Sequence, residues 1–113
     1  MPYIHTTVST PIPAETQKQL AKKLGEAITL ISGKTERWLM LNFTENAPLY
    51  FNGSDAPAAM VEVELLGSAD NTEYDALTGK LCRLVSEQLA IPSDRIYVKY
   101  EEITHWGWNN ANF

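Results

Sequence analysis

The sequence predicts an α/β fold of the α+β kind: a duplicated β-α-β unit forming a four-stranded mixed sheet with two helices on one face. Two observations carry that expectation. A strand-like, a helix-like and a second strand-like segment follow one another, and the same series then repeats. The two halves also match in detail. Thr35-Glu36-Arg37-Trp38 corresponds to Ser93-Asp94-Arg95-Ile96, 58 residues apart (35 against 93), and with one residue of slack Leu20, Leu24 and Ala27 fall on Leu77, Leu81 and Leu84. A chain of 113 residues holds one such domain, spanning 1–113, and is small enough to gain from oligomerisation.

Residues Pro2 to Val8 (PYIHTTV) are rich in β-branched and aromatic side chains and read as the first strand. Thr10-Pro11-Ile12-Pro13 breaks it. Pro13 suits a helix start, with Glu15 near the positive end of the helix dipole. Leu20, Leu24, Ala27, Ile28 and Ile31 follow at helical spacing, Lys22 and Lys23 take the other face, and Gly33 is a natural stop. A second strand is expected from Arg37 to Phe43. The stretch Asn46 to Pro57 is a loop or a short hairpin piece. Met60 to Leu66 alternates as a third strand closed by Gly67. Asp70 and Glu73 stand at capping-box spacing before a second helix whose Tyr74, Leu77, Leu81, Leu84, Val85 and Leu89 share a side. Pro92 ends that helix, and Asp94 to Ile103 is the fourth strand. The tail HWGWNNANF has too little periodicity to classify.

Both helices on one sheet face leave the other uncovered. Ile4, Leu39, Leu41, Val61, Val63, Ile96 and Val98 supply more apolar strand surface than one face needs, so subunits are expected to associate through their sheets. The net charge of −5 argues against a nucleic-acid partner. No apolar run approaches the length of a membrane span. The one cysteine, Cys82, falls among helix leucines as a core residue, and its being single fits a reducing compartment. With no secretory signal visible, a cytoplasmic location is expected; release by a route without a signal peptide stays open. His5 and His105 are too few and too isolated for a metal site.

Met1-Pro2 has two readings. Proline's fixed φ and missing donor suit the start of an extended segment. Alternatively, removal of Met1 turns the Pro2 nitrogen from an amide into a free secondary amine, the only setting in which proline acts as a base.

The chain resembles the macrophage migration inhibitory factor family of the tautomerase superfamily over its whole length. The resemblance rests on Met1-Pro2, Gly33-Lys34, Phe51-Asn52-Gly53-Ser54 with Pro57, Leu66-Gly67, Asp94-Arg95-Ile96-Tyr97, and Gly107-Trp108-Asn109-Asn110 with Phe113. It implies a homotrimer whose sheets form a barrel with the helices outside, and active sites at subunit interfaces. In each, a processed N-terminal proline catalyses keto–enol tautomerisation of small aryl α-keto acids (phenylpyruvate or hydroxyphenylpyruvate) or dopachrome-type compounds, without metal or organic cofactor. Some family members act as cytokines or cytokine mimics, so a receptor partner is the alternative role.

Residue by residue, the resemblance makes Pro2 the acid–base group and Lys34 its anion-binding partner, alongside the backbone N–H of Leu66. By position alone Lys34 is a helix C-terminal lysine complementing the dipole. Tyr97 matches a tyrosine given to the site by a neighbouring subunit. Trp38 stands where relatives carry an aromatic at the pocket edge, with surface packing as its other reading. Tyr3, Trp106, Trp108 and Phe113 complete the expected substrate-binding surface, and apolar burial together with the Lys34 charge is expected to lower the amine pKa. Lys99 stands where well-known members have asparagine, a second cation able to bind an acid group, to lower the amine pKa further or to shift substrate choice. Trp106 replaces a smaller aliphatic residue and narrows the pocket mouth. Ala58 and Val61 occupy the positions of the vertebrate Cys-x-x-Cys, so no thiol–disulfide role is expected.

Overall fold

Four strands and two helices take their places from simple burial rules. The computed structural model describes residues 1–113. Strand β1 (Pro2–Val8) is followed by α1 (Ala14–Ala27), β2 (Met40–Thr44), β3 (Ala59–Leu66), α2 (Asn71–Leu89) and β4 (Ile96–Ile103). The sheet order is β2-β1-β3-β4. Strands β1 and β2 run parallel, as do β3 and β4, while β1 and β3 run antiparallel at the centre. This is the expected duplicated β-α-β sheet.

Alternation decides what each face carries. In β1, Pro2, Ile4, Thr6 and Val8 are buried, and in β3 Ala59, Val61, Val63 and Leu65 are. Against them pack Leu20, Leu24, Ala27 and Ile28 from α1 and its extension, and Leu77, Leu81, Leu84 and Val85 from α2. Cys82 packs partly buried against this core, and burial pushes its thiol pKa up. No helix is long and apolar enough to cross a membrane.

Three strand expectations are corrected. Glu36–Trp38 forms a single 3-10 turn, with the Trp38 N–H donating to Thr35 O and the Leu39 N–H to Glu36 O. The second strand therefore begins at Met40 and runs to Thr44. A matching turn, Ser93–Arg95, precedes β4, which starts at Ile96 rather than Asp94. Trp38 in the first stretch, and the apolar run that follows each, read as strand, but local i to i+3 bonding takes the backbone of both turns. Strand β3 begins one residue early, at Ala59.

The inference of a second apolar sheet face also fails. Ile4, Val61, Val63 and Ile96 are buried in the helix-covered core, and Leu39, Leu41 and Val98 pack against it. The register puts a polar row across the open face instead: Asn42 pairs with His5, His5 with Glu62 and Glu62 with Lys99. The ions there neutralise one another, Glu62 lying 3.5 Å from His5 and 3.4 Å from Lys99. Summing apolar residues overlooked that period-2 alternation had already sent them to the same side.

The tail is ordered as a hairpin of β5 (Gly107–Trp108) and β6 (Ala111–Asn112). Asn109 and Asn110 both have positive φ, 51° and 72°, the pattern of a two-residue primed turn. Asn52 and Gly53 make a comparable turn between Phe51 and Ser54. Arg95 clamps that loop: its guanidinium donates to the carbonyls of Pro57 (2.9 Å), Phe51 (3.1 Å), Ser54 and Ala56 (both 3.0 Å).

Candidate active site

The chain's N-terminus, the turn before β2 and the C-terminal hairpin converge on a cavity of about 550 Å³. Met1, Pro2 and Tyr3 line it from β1, Arg37, Trp38, Leu39 and Met40 from the turn and β2, Glu64 from β3, and Trp106, Gly107 and Trp108 from the tail. The walls are largely apolar with a few charged groups, the usual make-up of a small-molecule site.

Each side chain is set by a local device. Pro2 is buried at the start of β1, opposite Leu65 of β3. The Leu66 N–H donates to the Met1 carbonyl at 3.0 Å, and the Lys34 ammonium donates to the Leu66 carbonyl at 2.8 Å. Lys34 follows Gly33, whose φ of 79° turns the chain after α1. The Lys34 N–H then bonds Ile31 O at 3.1 Å. Ser32 is tied to the start of α2, its N–H and hydroxyl donating to the Glu73 carboxylate at 2.9 and 2.5 Å. Those bonds hold the Glu73 carboxyl below its usual pKa. Glu73 also accepts the Asp70 N–H at 3.5 Å, the half of the expected capping box that fixes the helix start.

The aromatic wall is interlocked. Trp38 meets Trp108 edge to face, with centroids 4.9 Å apart, and Phe113 stacks on Trp108 at 6.1 Å. The Phe113 N–H donates to Trp106 O, closing the tail on itself. Phe113 therefore supports the wall and lines a smaller adjoining cavity rather than this one. The Tyr3 hydroxyl accepts from the Asn42 amide at 3.0 Å.

Electrostatically, the telling group is the N-terminal amine. With Met1 in place it belongs to that residue, and its pKa is pushed down from 8.0 to about 6. Burial is the largest cause, followed by the Lys34 charge and a hydrogen bond to Lys34. All three causes favour the neutral amine, whose nitrogen accepts a hydrogen bond from the Lys34 ammonium.

Of the sequence-predicted residues, Pro2, Tyr3, Trp38, Trp106 and Trp108 line one cavity, and Lys34 and Leu66 meet beside the N-terminus. Tyr97 and Lys99 do not join them within one chain. Tyr97 sits opposite Met60, at the far end of β3 from Leu65 and Pro2, and packs on Phe51 with centroids 4.8 Å apart. Lys99 lies on the open face beside Glu62 and Glu101. A part for either requires a neighbouring subunit. Sequence reasoning missed Arg37, Leu39, Met40 and Glu64. The first was hidden by taking the turn as strand. Glu64 reaches the cavity because the antiparallel register sets it opposite Tyr3, a pairing that sequence spacing does not fix.

Comparison with known proteins agrees with this geometry. A sequence model described as macrophage migration inhibitory factor (MIF) matches residues 1–113. The macrophage migration inhibitory factor of Mus musculus is 27% identical over 112 residues, covering 94% of this chain and 95% of its own. A crystal structure of Leishmania major MIF2 superposes with a TM-score of 0.94 at 34% identity, covering 100% of this chain and 97% of that one. The homologue from Prochlorococcus marinus superposes with a TM-score of 0.83 at 30% identity over 98% of both chains.

Proposed function

The chain belongs to the macrophage migration inhibitory factor family of the tautomerase superfamily, and from that premise we propose that it is a keto–enol tautomerase of small aryl α-keto acids, with Pro2 as its acid–base group once Met1 is removed. The observation that carries this reading is a buried Pro2 at the wall of an apolar cavity, with Lys34 close enough to the chain's first amine, that of Met1, to lower its pKa by charge and hydrogen bond in addition to burial. A free α-amine ordinarily titrates near 7.7–8.0. Lowered further, it is a competent base at neutral pH.

Met1 removal does two things at once. It converts the Pro2 nitrogen from a tertiary amide into a secondary amine, and it frees the Leu66 N–H from the Met1 carbonyl. In the proposed step Pro2 nitrogen takes a proton from the carbon beside the keto group. That C–H electron pair forms the carbon–carbon double bond of the enolate, and the carbonyl π pair moves onto oxygen. The freed Leu66 N–H and the Lys34 ammonium hold the developing oxyanion. The Pro2 ammonium then returns its proton to oxygen, giving the enol; the reverse direction uses the same groups. The aryl ring lies against Trp38, Trp106 and Trp108.

The site is completed, in this proposal, by a homotrimer in which Tyr97, with Lys99 beside it, reaches the cavity of a neighbouring subunit. The exposure of Tyr97 and Met40, large side chains left uncovered in the single chain, supports that assembly. Relatives named for inhibiting macrophage migration support a second reading, a ligand for a cell-surface receptor with catalysis secondary. The two are separated by Pro2→Gly in the Met1-free protein. Loss of most phenylpyruvate turnover is expected with receptor binding kept, whereas unchanged turnover would remove the catalytic assignment.

A further inference from the structure

We propose that Arg37 is the residue that reads the substrate's carboxylate, making the pocket selective for free 2-keto acids over their neutral counterparts; this rests on the tautomerase reading above.

Arg37 is the one basic side chain lining the Pro2 cavity. Its guanidinium lies 5.0 Å from the centre of the Trp38 ring. Trp38 is itself braced edge to face on Trp108 at 4.9 Å. The backbone beneath is fixed by the 3-10 turn Glu36–Trp38. The planar fork of an arginine matches a carboxylate bidentately, and stacking on a held ring sets its plane before the ligand arrives. Arginine also keeps its charge throughout the working pH range.

The other cations near the fold's working parts are already engaged. Lys34 donates to Leu66 O and faces the N-terminal amine. Lys99 lies 3.4 Å from Glu62 and 3.9 Å from Glu101. Arg95 is spread over four carbonyls. Arg37 enters none of the chain's ion pairs, which join His5 to Glu62 and Lys99 to Glu62 and Glu101. Glu64 lines the same cavity, also without an ion-pair partner. Its carboxylate disfavours an anion beside β3 and directs the acid group to the Arg37 edge. The labour is thereby divided: Lys34 and the Leu66 N–H serve the oxygen whose charge changes during reaction, and Arg37 serves the carboxylate whose charge does not. Binding of that constant charge is equal in the ground and transition states, so it acts on KM more than on kcat.

The test compares phenylpyruvate with its methyl ester in the Met1-free protein. In the unaltered protein kcat/KM favours the acid. Arg37→Gln lowers the acid-to-ester ratio of kcat/KM by about tenfold or more, as loss of a charge-assisted pair should, chiefly through KM for the acid. Arg37→Lys restores part of the ratio, since a point charge returns without the fork. An unchanged ratio in Arg37→Gln, or an equal loss for acid and ester, would overturn the proposal, because Arg37 would then only shape the wall. Absence of turnover of both compounds by the unaltered protein is a separate result that sinks the tautomerase reading, and this proposal with it.

Discussion

The Leu66 N–H donates to the carbonyl of Met1 at 3.0 Å. The residue in front of Pro2 thus occupies the donor that an enolate oxygen would use, and its own amide bond quenches the Pro2 nitrogen. Retained Met1 is expected to abolish tautomerase activity twice over. Protein separated by intact mass into Met1-bearing and Met1-free fractions should differ in phenylpyruvate turnover by about two orders of magnitude, the usual cost of losing an oxyanion donor, or by more.

The pH dependence follows from the lowered amine. Only the neutral amine accepts a proton, so kcat/KM rises as pH climbs through its pKa and levels off above it. Burial and Lys34 lower the Met1 amine, and Pro2, the next residue, is itself buried. The rise is therefore expected below the ordinary α-amine range of about 7.7–8.0 in the Met1-free enzyme. Lys34→Ala should move the midpoint upward, because a cation that disfavours the ammonium has gone, but not to 8.0, because burial remains the larger cause. Rate profiles of both proteins check this.

Much of this architecture was readable beforehand because it rests on periodicities. The bounds of β1 and the α2 face of Leu77, Leu81, Leu84 and Val85 follow from alternation and helical spacing. What was not readable depends on competition between local hydrogen bonds and propensity. Glu36–Trp38 has strand-like side chains but closes a turn, which is why Arg37 went unnoticed at the pocket. The Asn109-Asn110 pair was a usable hairpin signal, obscured because the flanking strands are two residues each. Pro2, Trp38, Trp106 and Trp108 converge through the fold rather than through spacing, and were reached only by likeness to a family.

Arg95 is expected to be the main side-chain anchor of the Phe51–Pro57 loop, beyond the backbone bridge between Phe51 and Ser54. Arg95→Ala leaves four carbonyl contacts unmade and removes the cation from over the Phe51 ring, 5.3 Å from the guanidinium. A loss of about 1–2 kcal/mol is expected, since two of the four bonds are partly buried and the other two are exposed to water. Urea unfolding at fixed protein concentration measures it.

A substitution in the opposite direction is available at Gly79, inside α2. An added Cβ there meets nothing nearer than an Arg83 nitrogen at 3.9 Å. Gly79→Ala should stabilise by about 0.5–1 kcal/mol through helix propensity and a less flexible unfolded chain. Its unfolding midpoint, compared with that of the parent, gives the sign directly.

The central claim is that the first residue of the Met1-free protein carries an uncharged ring nitrogen at neutral pH. Titration of the ¹⁵N-labelled Pro2 amine by NMR tests it most directly. A midpoint below about 7 is the expected result, the direction in which burial and Lys34 move the Met1 amine. A midpoint above about 8.5, higher than an ordinary α-amine, would contradict it.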